Sequence, residues 1–323
     1  MDAHKTMLFR GDMMLLAVAV VWGTSYGVVK SALVFYPVLG LLALRFGLTF
    51  VLLSPALRQL RHVPKAQLLG LLGTGGLLLG IFLCETYGVL HTRAANAAFL
   101  ISLCVVLTPL VEWALLKRRP AGLEWAAVGL SVLGALLLTK DAEWSFNGGD
   151  ALILVAALLR ALQVCSLKRV TRDNPVPALA ITAVQAGVVA LGSLILAIAL
   201  VPAPLDTLLA MHDAGTFWAY VAYLVLACTL FAFFAQNYAI KRSSPTRVAL
   251  LMGSEPVFGA LFAMVWLGEG ISTQGWVGGG LIVAACLLAN GSWLPGRQAV
   301  SHEDKGPGPV EALQALPADR GQA

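Results

Sequence analysis

The chain has 323 residues, of which 59% are hydrophobic and only 12% are charged, whereas about 25% of the residues in a typical soluble domain are charged. This composition argues against a water-soluble fold and indicates an integral membrane protein. The formal net charge of +5 does not indicate nucleic acid as a partner, because the basic residues lie in short loops between apolar segments, where membrane topology accounts for them.

Apolar blocks of about 20 residues follow one another along the chain, which is the length an α-helix needs to cross a hydrocarbon core of about 30 Å. We predict an all-α integral membrane fold of ten transmembrane helices. In chain order they span residues 13–34, 36–56, 67–89, 94–116, 122–140, 149–169, 176–200, 216–239, 245–267 and 273–293. The first block follows basic residues as a signal peptide does, but it is long and lacks a small-residue cleavage site, so we interpret it as an uncleaved helix.

Basic residues gather on one side of the predicted crossings. That side collects Lys5, Arg10, Arg58, Arg61, Lys65, Lys117, Arg118, Arg119, Lys168, Arg169, Arg172, Lys241, Arg242, Arg247 and Arg297. The other side has only Lys30, Arg93 and Lys140. Because loops rich in Lys and Arg stay in the cytoplasm, we predict a multi-pass protein with a cytoplasmic N-terminus at 1–12 and a disordered cytoplasmic tail at 295–323.

The sequence carries no sign of a cofactor or a metal site. The five cysteines are scattered through the apolar blocks, without the paired spacing of a metal site or a disulfide framework. The nucleotide-binding pattern Gly-x-x-x-x-Gly-Lys-Ser/Thr does not occur, so ATP-driven pumping would need a separate subunit. An enzyme is not favoured, because the intramembrane charges include no histidine, no metal-ligand cluster and no serine-containing catalytic signature.

The chain matches itself in two halves, 13–140 and 149–293. The matched landmarks are Asp12 with Asp150, Lys30 with Lys168 and Pro37 with Pro175 at an offset of 138, and Tyr87 with Tyr238 and Trp125 with Trp276 at an offset of 151. Pro109 and Pro256 match only at an offset of 147, which predicts a local difference of about one helical turn. Because each half would hold an odd number of crossings, we predict inverted repeats with the substrate site near the midplane between them.

Several runs resemble the EamA family of the drug/metabolite transporter superfamily. They are Val21-Trp-Gly-Thr-Ser with Lys30, the Arg45-Phe46 pair, Ala94-Ala-Asn-Ala-Ala-Phe-Leu-Ile-Ser, Ser254-Glu-Pro-Val-Phe and Leu267-Gly-Glu-Gly. The resemblance covers about residues 11–293. It implies a ten-helix carrier of the bacterial inner membrane, often an exporter of amino acids, related metabolites or toxic compounds.

Ionisable side chains inside the apolar blocks are the first candidates for transport, because each costs about 2.5–3.5 kcal/mol at a helix centre unless a partner or a water-filled cavity offsets that cost. Arg160 and Gln163 lie one turn apart and could hold a substrate carboxylate together, or Arg160 could form a structural ion pair. Glu255 precedes Pro256, whose ring disrupts the helix. We predict Glu255 either for cation or proton coupling or for a salt bridge to Arg160 or Arg45, and we favour a structural role for Arg45.

Other polar and aromatic side chains complete the predicted site. Glu85 and Gln236 match between the halves and would mark opposite mouths of one pathway. Trp22 and Tyr26, one turn apart, would either offer aromatic surface to an apolar, aromatic or cationic cargo or pack against a neighbouring helix. The predicted substrate-binding set is Arg160, Gln163, Trp22, Tyr26, Glu85, Asn96 and Gln236, and the coupling or ion-pair residues are Glu255 and Arg45. Near a membrane interface, Glu112 is predicted to pair with Lys117 or Arg118.

We predict a secondary transporter that exports a small organic metabolite, an amino acid or a related compound, by alternating access, with proton coupling as one option. An uptake carrier, a facilitative exchanger, a channel and an intramembrane enzyme are the alternatives. The expected partners are the small-molecule substrate and the lipid bilayer. Glycine pairs such as Gly23 and Gly27 permit close helix contacts, which would serve either internal sliding or a homodimer.

Overall fold

The structure is a computed structural model, and it describes residues 3–92, 94–138, 147–172, 176–200, 214–267 and 272–290. Within these ranges all regular secondary structure is helical, so the predicted all-α membrane class is confirmed. The predicted tail at 295–323 and the loop positions Arg93 and Lys140 lie outside the described residues.

The helices are numbered in chain order. They are α1 (Ala3–Ala32), α2 (Val38–Leu53), α3 (Lys65–His91), α4 (Ala94–Ser102), α5 (Cys104–Leu116), α6 (Gly122–Leu138), α7 (Gly148–Val170), α8 (Ala178–Leu200), α9 (Ala214–Val225), α10 (Ala232–Arg242), α11 (Pro245–Met252), α12 (Glu255–Leu267) and α13 (Thr273–Asn290). A 3-10 helix, Ser54–Leu60, extends α2, and a π-helical turn, Leu226–Phe231, joins α9 to α10.

Seven segments in the described ranges are long and apolar enough to cross a membrane, and Gly122–Leu137 and Thr273–Leu288 are shorter apolar helices. The ninth predicted crossing is divided between α11 and α12, so ten crossings stay a prediction. At the start of the chain, α1 extends from Ala3 and Asp12 lies inside it rather than at its first residue. Asp12 is buried and pairs with Arg247 of α11, which explains an acidic residue inside this helix.

One interruption divides a helical segment that borders the centre. The break between α11 and α12 falls at Gly253 and Ser254, so Glu255 becomes the first residue of α12 and Pro256 follows it in the first turn. Proline is tolerated there because the first turn needs no backbone donor. The helix is therefore broken beside Glu255, as the sequence predicts.

The end of α1, the end of α3 and the start of α7 meet at what we call the Asp150 end. The Lys30 ammonium donates to the carbonyl of Thr92, 3.1 Å away, and the Thr92 hydroxyl donates to Asp150 Oδ1. Asn147 caps α7 by accepting hydrogen bonds from its first turn, and Asp150 Oδ2 accepts in return from the Asn147 amide. This reciprocal cap satisfies backbone donors that a helix start leaves free.

The opposite side of the bundle, which we call the Glu112 end, holds the start of α11 and the ends of α5, α7 and α10. Lys168 of α7 donates to the carbonyls of Ile240, Lys241 and Ser243. Lys30 and Lys168 thus clamp matching helices at opposite ends of the bundle. It follows that α1 and α7 run in opposite directions.

Packing of the helices leaves an apolar outer surface. The most extensive helix contacts pair α3 with α7, α6 with α13 and α2 with α8. Along α8, the side chains of Leu191, Ile195 and Ile198 are each more than half exposed. Such an apolar stripe suits contact with lipid, because water-soluble proteins rarely expose large contiguous apolar patches.

Candidate functional site

Charged side chains from three helices meet in the middle of the bundle. Arg160 of α7 is 8% exposed, and its Nη1 lies 3.3 Å from Glu255 Oε2 of α12. Its Nη2 lies 3.5 Å from Glu85 Oε2 of α3. Arg160 is therefore shared by two carboxylates, and of the two salt bridges proposed for Glu255, the structure has the one to Arg160.

Glu255 is the tightly held carboxylate of the pair. The Tyr26 hydroxyl donates to Glu255 Oε1 at 2.6 Å, and Glu255 itself is 2% exposed. As the first residue of α12, it also lies where the helix dipole favours a negative charge. A Cβ added to Gly23 would come within 2.7 Å of the Glu255 carbonyl oxygen, so glycine is what lets α1 approach α12 closely enough for Tyr26 to reach this carboxylate.

Glu85 is the loosely held carboxylate. Its 3.5 Å separation from Arg160 is an ion pair without a hydrogen bond, and its Oε2 is buried with no hydrogen-bond partner in the described part of the chain. A buried carboxylate oxygen without a donor is energetically unfavourable. Glu85 is therefore the group in this cluster that would gain most from a new donor.

Trp22 forms one wall of the cluster. The Arg160 guanidinium carbon lies 4.8 Å from the centroid of the Trp22 ring, in cation–π contact. The Trp22 Nε1–H donates to the carbonyl oxygen of Cys228 at 2.9 Å, and Phe233 packs against the ring with centroids 5.4 Å apart. Trp22 therefore packs against a neighbouring helix and also faces the central charge, and its contact with cargo stays a prediction.

Arg45 lies near the cluster but is held in a different way. Its Nε donates to Thr229 Oγ1 at 2.6 Å and its Nη2 to the Cys228 carbonyl at 3.3 Å. Its guanidinium carbon lies 4.9 Å from the Phe82 ring and 5.3 Å from the Phe46 ring. Among the described residues no carboxylate lies within ion-pair distance of Arg45. The predicted structural role fits these contacts and stays a prediction.

A narrow cavity opens beside these side chains and extends toward the Asp150 end. Its lining includes Trp22, Tyr26, Arg45, Phe82, Glu85 and Arg160. Its volume is about 20 Å³, enough for about one water molecule. The helices must therefore separate before an organic molecule can enter.

The remaining predicted residues lie elsewhere. Gln163 and Gln236 are each 1% exposed and do not line this cavity, and the side chain of Asn96 lies outside the described residues. Sequence reasoning missed Phe82 and Phe233, whose rings pack 5.8 Å apart at the centre. Phe82 and Phe233 are 151 residues apart, as are Tyr87 and Tyr238. This shared offset is the feature of the sequence from which the pair could have been predicted.

A second cavity, of about 560 Å³, lies at the Glu112 end. The buried Glu112 accepts from Arg118 Nη1 at 2.9 Å and from the Thr246 amide at 2.9 Å, so the predicted pairing is with Arg118. Burial lowers the pKa of Arg118, but hydrogen bonds and charge from Glu124 and Glu112 outweigh it and raise that pKa above its usual value. The basic residues that line this cavity are Arg118, Lys168, Arg172, Arg242 and Arg247.

In the part of the chain that the structure describes, no three His, Cys, Asp or Glu side chains are arranged to hold a metal ion. The functional geometry in these ranges consists of the charged cluster, the narrow cavity beside it and the basic cavity at the Glu112 end.

The chain is similar to known transporters over most of its length. The inner membrane transporter YedA of Escherichia coli K12, described as uncharacterized, is 28% identical over 282 residues, which cover 85% of this chain and 88% of YedA. A "Probable terminal-alkyne amino-acid exporter" of Streptantibioticus cattleyicolor is 25% identical over 295 residues, which cover 89% of this chain and 95% of that protein.

A solved crystal structure shares the fold, with a TM-score of 0.70 at 19% identity over 86% of this chain and 96% of that chain. The EamA-like transporter family matches this chain over residues 9–140 and again over residues 147–291. These two ranges correspond to the two halves that the internal matches define. The chain is therefore a multi-pass membrane transporter, and it belongs to the EamA-like transporter family.

Proposed function

We propose that this protein is a secondary transporter that exports a small organic metabolite with a carboxylate, an amino acid or a related compound. The observation that carries the proposal is the position of Arg160, buried at the centre and shared by one tightly held and one loosely held carboxylate. A guanidinium presents a planar fork of donors that suits a carboxylate. The substrate carboxylate would replace Glu85 on Arg160.

Inverted repeats of five helices each would provide the alternating access. The family matches each half once, and Lys30 and Lys168, 138 residues apart, clamp matching helices at opposite ends of the bundle. Opposed clamps are what two units of opposite orientation would produce. On this basis we propose ten crossings with both termini in the cytoplasm.

Charge balance restricts the cargo. Arg160 and Arg45 balance Glu85 and Glu255, so the four central side chains sum to zero, and an added carboxylate would leave an uncompensated negative charge at low dielectric. The cargo therefore brings a positive group of its own, such as an ammonium beside Glu85, or a proton enters with it. We infer electroneutral transport in either case. The amino-acid exporter among the relatives supports the first option.

The Glu112 end would be the side from which cargo enters. Its cavity carries five basic side chains against the two carboxylates Glu112 and Glu124. A basic cavity raises the local concentration of carboxylate-bearing molecules. Because the cytoplasmic loops of membrane proteins are the basic ones, this cavity would face the cytoplasm, which favours export over uptake.

Reconstitution into liposomes tests the proposal. Efflux of a panel of labelled amino acids and related acids is measured for the natural chain and for the double variant Arg160→Gln with Glu255→Gln. The pair removes one charge of each sign, so the four central side chains still sum to zero, whereas Arg160→Ala alone would leave a net negative charge there. Arg58→Ala, an exposed position remote from the cluster, is the matched control.

We expect the double variant to lose efflux while it elutes from size exclusion like the natural chain, and the Arg58 variant to transport normally. Normal efflux by the double variant would remove Arg160 from the substrate site. Accumulation against a gradient in vesicles of native orientation would instead support uptake by the same site.

A further inference from the structure

We propose that Gln163, Gln236 and Asn237 line the half of the substrate path that is closed in this structure, and that they bind polar groups of the cargo when the Glu112 end opens. The proposal rests on the proposed function, since it assumes that the two halves exchange roles between the open states. It names side chains that contact cargo only when the Glu112 end is open.

The first step compares α1 with α7. The α1 side chains that line the narrow cavity are Trp22, Ser25, Tyr26 and Val29. At the offset of 138, their counterparts are Arg160, Gln163, Val164 and Leu167. All four counterparts are buried. One face of α7 therefore repeats the lining face of α1, and most of it is out of contact with the cavity.

The second step compares α3 with α10. The α3 side chains that line the cavity are Phe82, Glu85, Thr86 and Val89. At the offset of 151, their counterparts are Phe233, Gln236, Asn237 and Ile240. These are also buried, with exposures between 0% and 3%. Both α7 and α10 therefore carry a surface that corresponds to the lining of the cavity, and on both helices this surface is buried.

Unsatisfied polar atoms fall on this closed surface. Gln163 Nε2, Gln236 Oε1 and Asn237 Oδ1 are buried without a hydrogen-bond partner in the described part of the chain. Asn237 uses only its Nδ2, which donates to Thr182 Oγ1 at 3.0 Å and to Gln185 Oε1 at 2.9 Å. Buried polar atoms without partners are rare and require an explanation. Exposure to water or cargo in the other open state supplies one.

The clamps explain which half is closed here. Lys168 binds three carbonyl oxygens at the end of α10 and beyond it, whereas Lys30 binds the carbonyl of Thr92. The Asp12–Arg247 ion pair, at 2.7 Å, adds a tie between α1 and α11 at the same end as Lys168. Among the described residues, the closed surface lies on the side of the bundle that carries more of these contacts.

The two walls differ in charge although their positions match. Where the cavity wall carries Glu85, the closed wall carries Gln236, and where the cavity wall carries Ser25, the closed wall carries Gln163. Amides can both donate and accept hydrogen bonds. A zwitterionic cargo would therefore meet a carboxylate toward the Asp150 end and neutral amides toward the Glu112 end.

Cysteine accessibility tests this proposal without a known cargo. In a background where the five natural cysteines are replaced by serine or alanine, Gln163→Cys and Gln236→Cys are treated with a membrane-impermeant cationic methanethiosulfonate added from the Glu112 side. The matched controls are Ala157→Cys on α7 and Ala235→Cys on α10, both 0% exposed. Neither control position corresponds to a residue that lines the cavity.

We expect both test cysteines to react and both controls to stay protected. Adding Lys168→Met, which removes the clamp at this end, should raise the reaction rate at the test positions several-fold and leave the controls unreactive. Equal rates at test and control positions, or unreactive test positions in protein that still transports, would overturn the proposal. Because the readout is chemical modification, reaction without efflux would reject the proposed cargo and leave the closed path supported.

Discussion

Trp22 and Arg160 lie at matching positions of the two halves, 138 residues apart, and they contact each other, with the guanidinium carbon 4.8 Å from the ring centroid. Phe82 and Phe233, 151 residues apart, also meet across the centre. Each of these contacts joins one half of the chain to the other. The central cluster therefore lies where the halves meet. There the first half supplies the Trp22 ring and the second half supplies the Arg160 guanidinium.

Removal of the Trp22 ring should weaken substrate binding. Trp22→Leu removes the surface against which Arg160 rests, and we expect KM to rise roughly 2- to 30-fold, in line with about 0.5–2 kcal/mol for a cation–π contact. Trp22→Phe keeps a ring and should show a smaller rise. Concentration-dependent efflux from liposomes gives these values. An unchanged KM in the leucine variant would contradict the role of the ring.

Loss of the Tyr26 hydroxyl should destabilise the protein. Tyr26→Phe leaves Glu255 Oε1 without its 2.6 Å donor, and an unsatisfied buried acceptor costs about 1–3 kcal/mol of unfolding free energy. Unfolding in mixed micelles provides the measurement. The control is Tyr238→Phe, which keeps the ring that lies 3.7 Å from the Arg242 guanidinium carbon. Equal stabilities for the two variants would argue that Tyr26 does not hold Glu255.

Two glycines one turn apart on α1 should respond differently to a methyl group. Gly23→Ala would place a Cβ 2.7 Å from the Glu255 carbonyl oxygen and 2.8 Å from the Gly259 amide nitrogen, whereas Gly27→Ala would meet nothing within 4 Å. We expect Gly23→Ala to lose about 1–3 kcal/mol of stability together with transport. Gly27→Ala should gain about 0.5–1 kcal/mol, since alanine favours a helix. Thermal unfolding and efflux of both variants decide the matter.

Neutralising Glu85 should change which molecules are transported. Glu85→Gln removes the proposed partner of the cargo ammonium, and the loss of a charge-assisted hydrogen bond of about 1.5–3 kcal/mol predicts a roughly 10- to 150-fold loss of affinity for amino acids. Deaminated analogues of the same acids should lose much less. Competition assays with each pair of molecules measure the ratio. Parallel losses for both molecules of a pair would mean that Glu85 does not recognise the ammonium.

The sequence was enough to predict the class of fold and the family. Apolar blocks and basic loops predict a multi-pass helical protein, because lipid requires every backbone polar group to be satisfied within a helix. The runs around Trp22 and Glu255 identified the family, and the comparisons confirm it. The choice of Arg160 and Glu255 as central groups followed from the cost of a charge inside a membrane span.

Details of the site depended on packing that leaves little local signal. The π-helical turn Leu226–Phe231, where the Cys228 carbonyl accepts from both Trp22 and Arg45, follows an uninterrupted apolar run without proline. The choice between Arg160 and Arg45 as the partner of Glu255 was equally open, since sequence spacing does not determine distances between separate helices. Only the assembled bundle reveals which buried atoms lack partners.

The close approach of α1 and α12 has a mechanical consequence. At Gly23 the two backbones already lie so near that they cannot move closer together, since even a methyl group would collide there. We therefore expect the proposed rocking of the first half against the second to turn about this contact. Trp22 is the residue before Gly23, so the proposed cargo site would lie beside this contact, where displacement is least, while the two ends of the bundle would travel furthest.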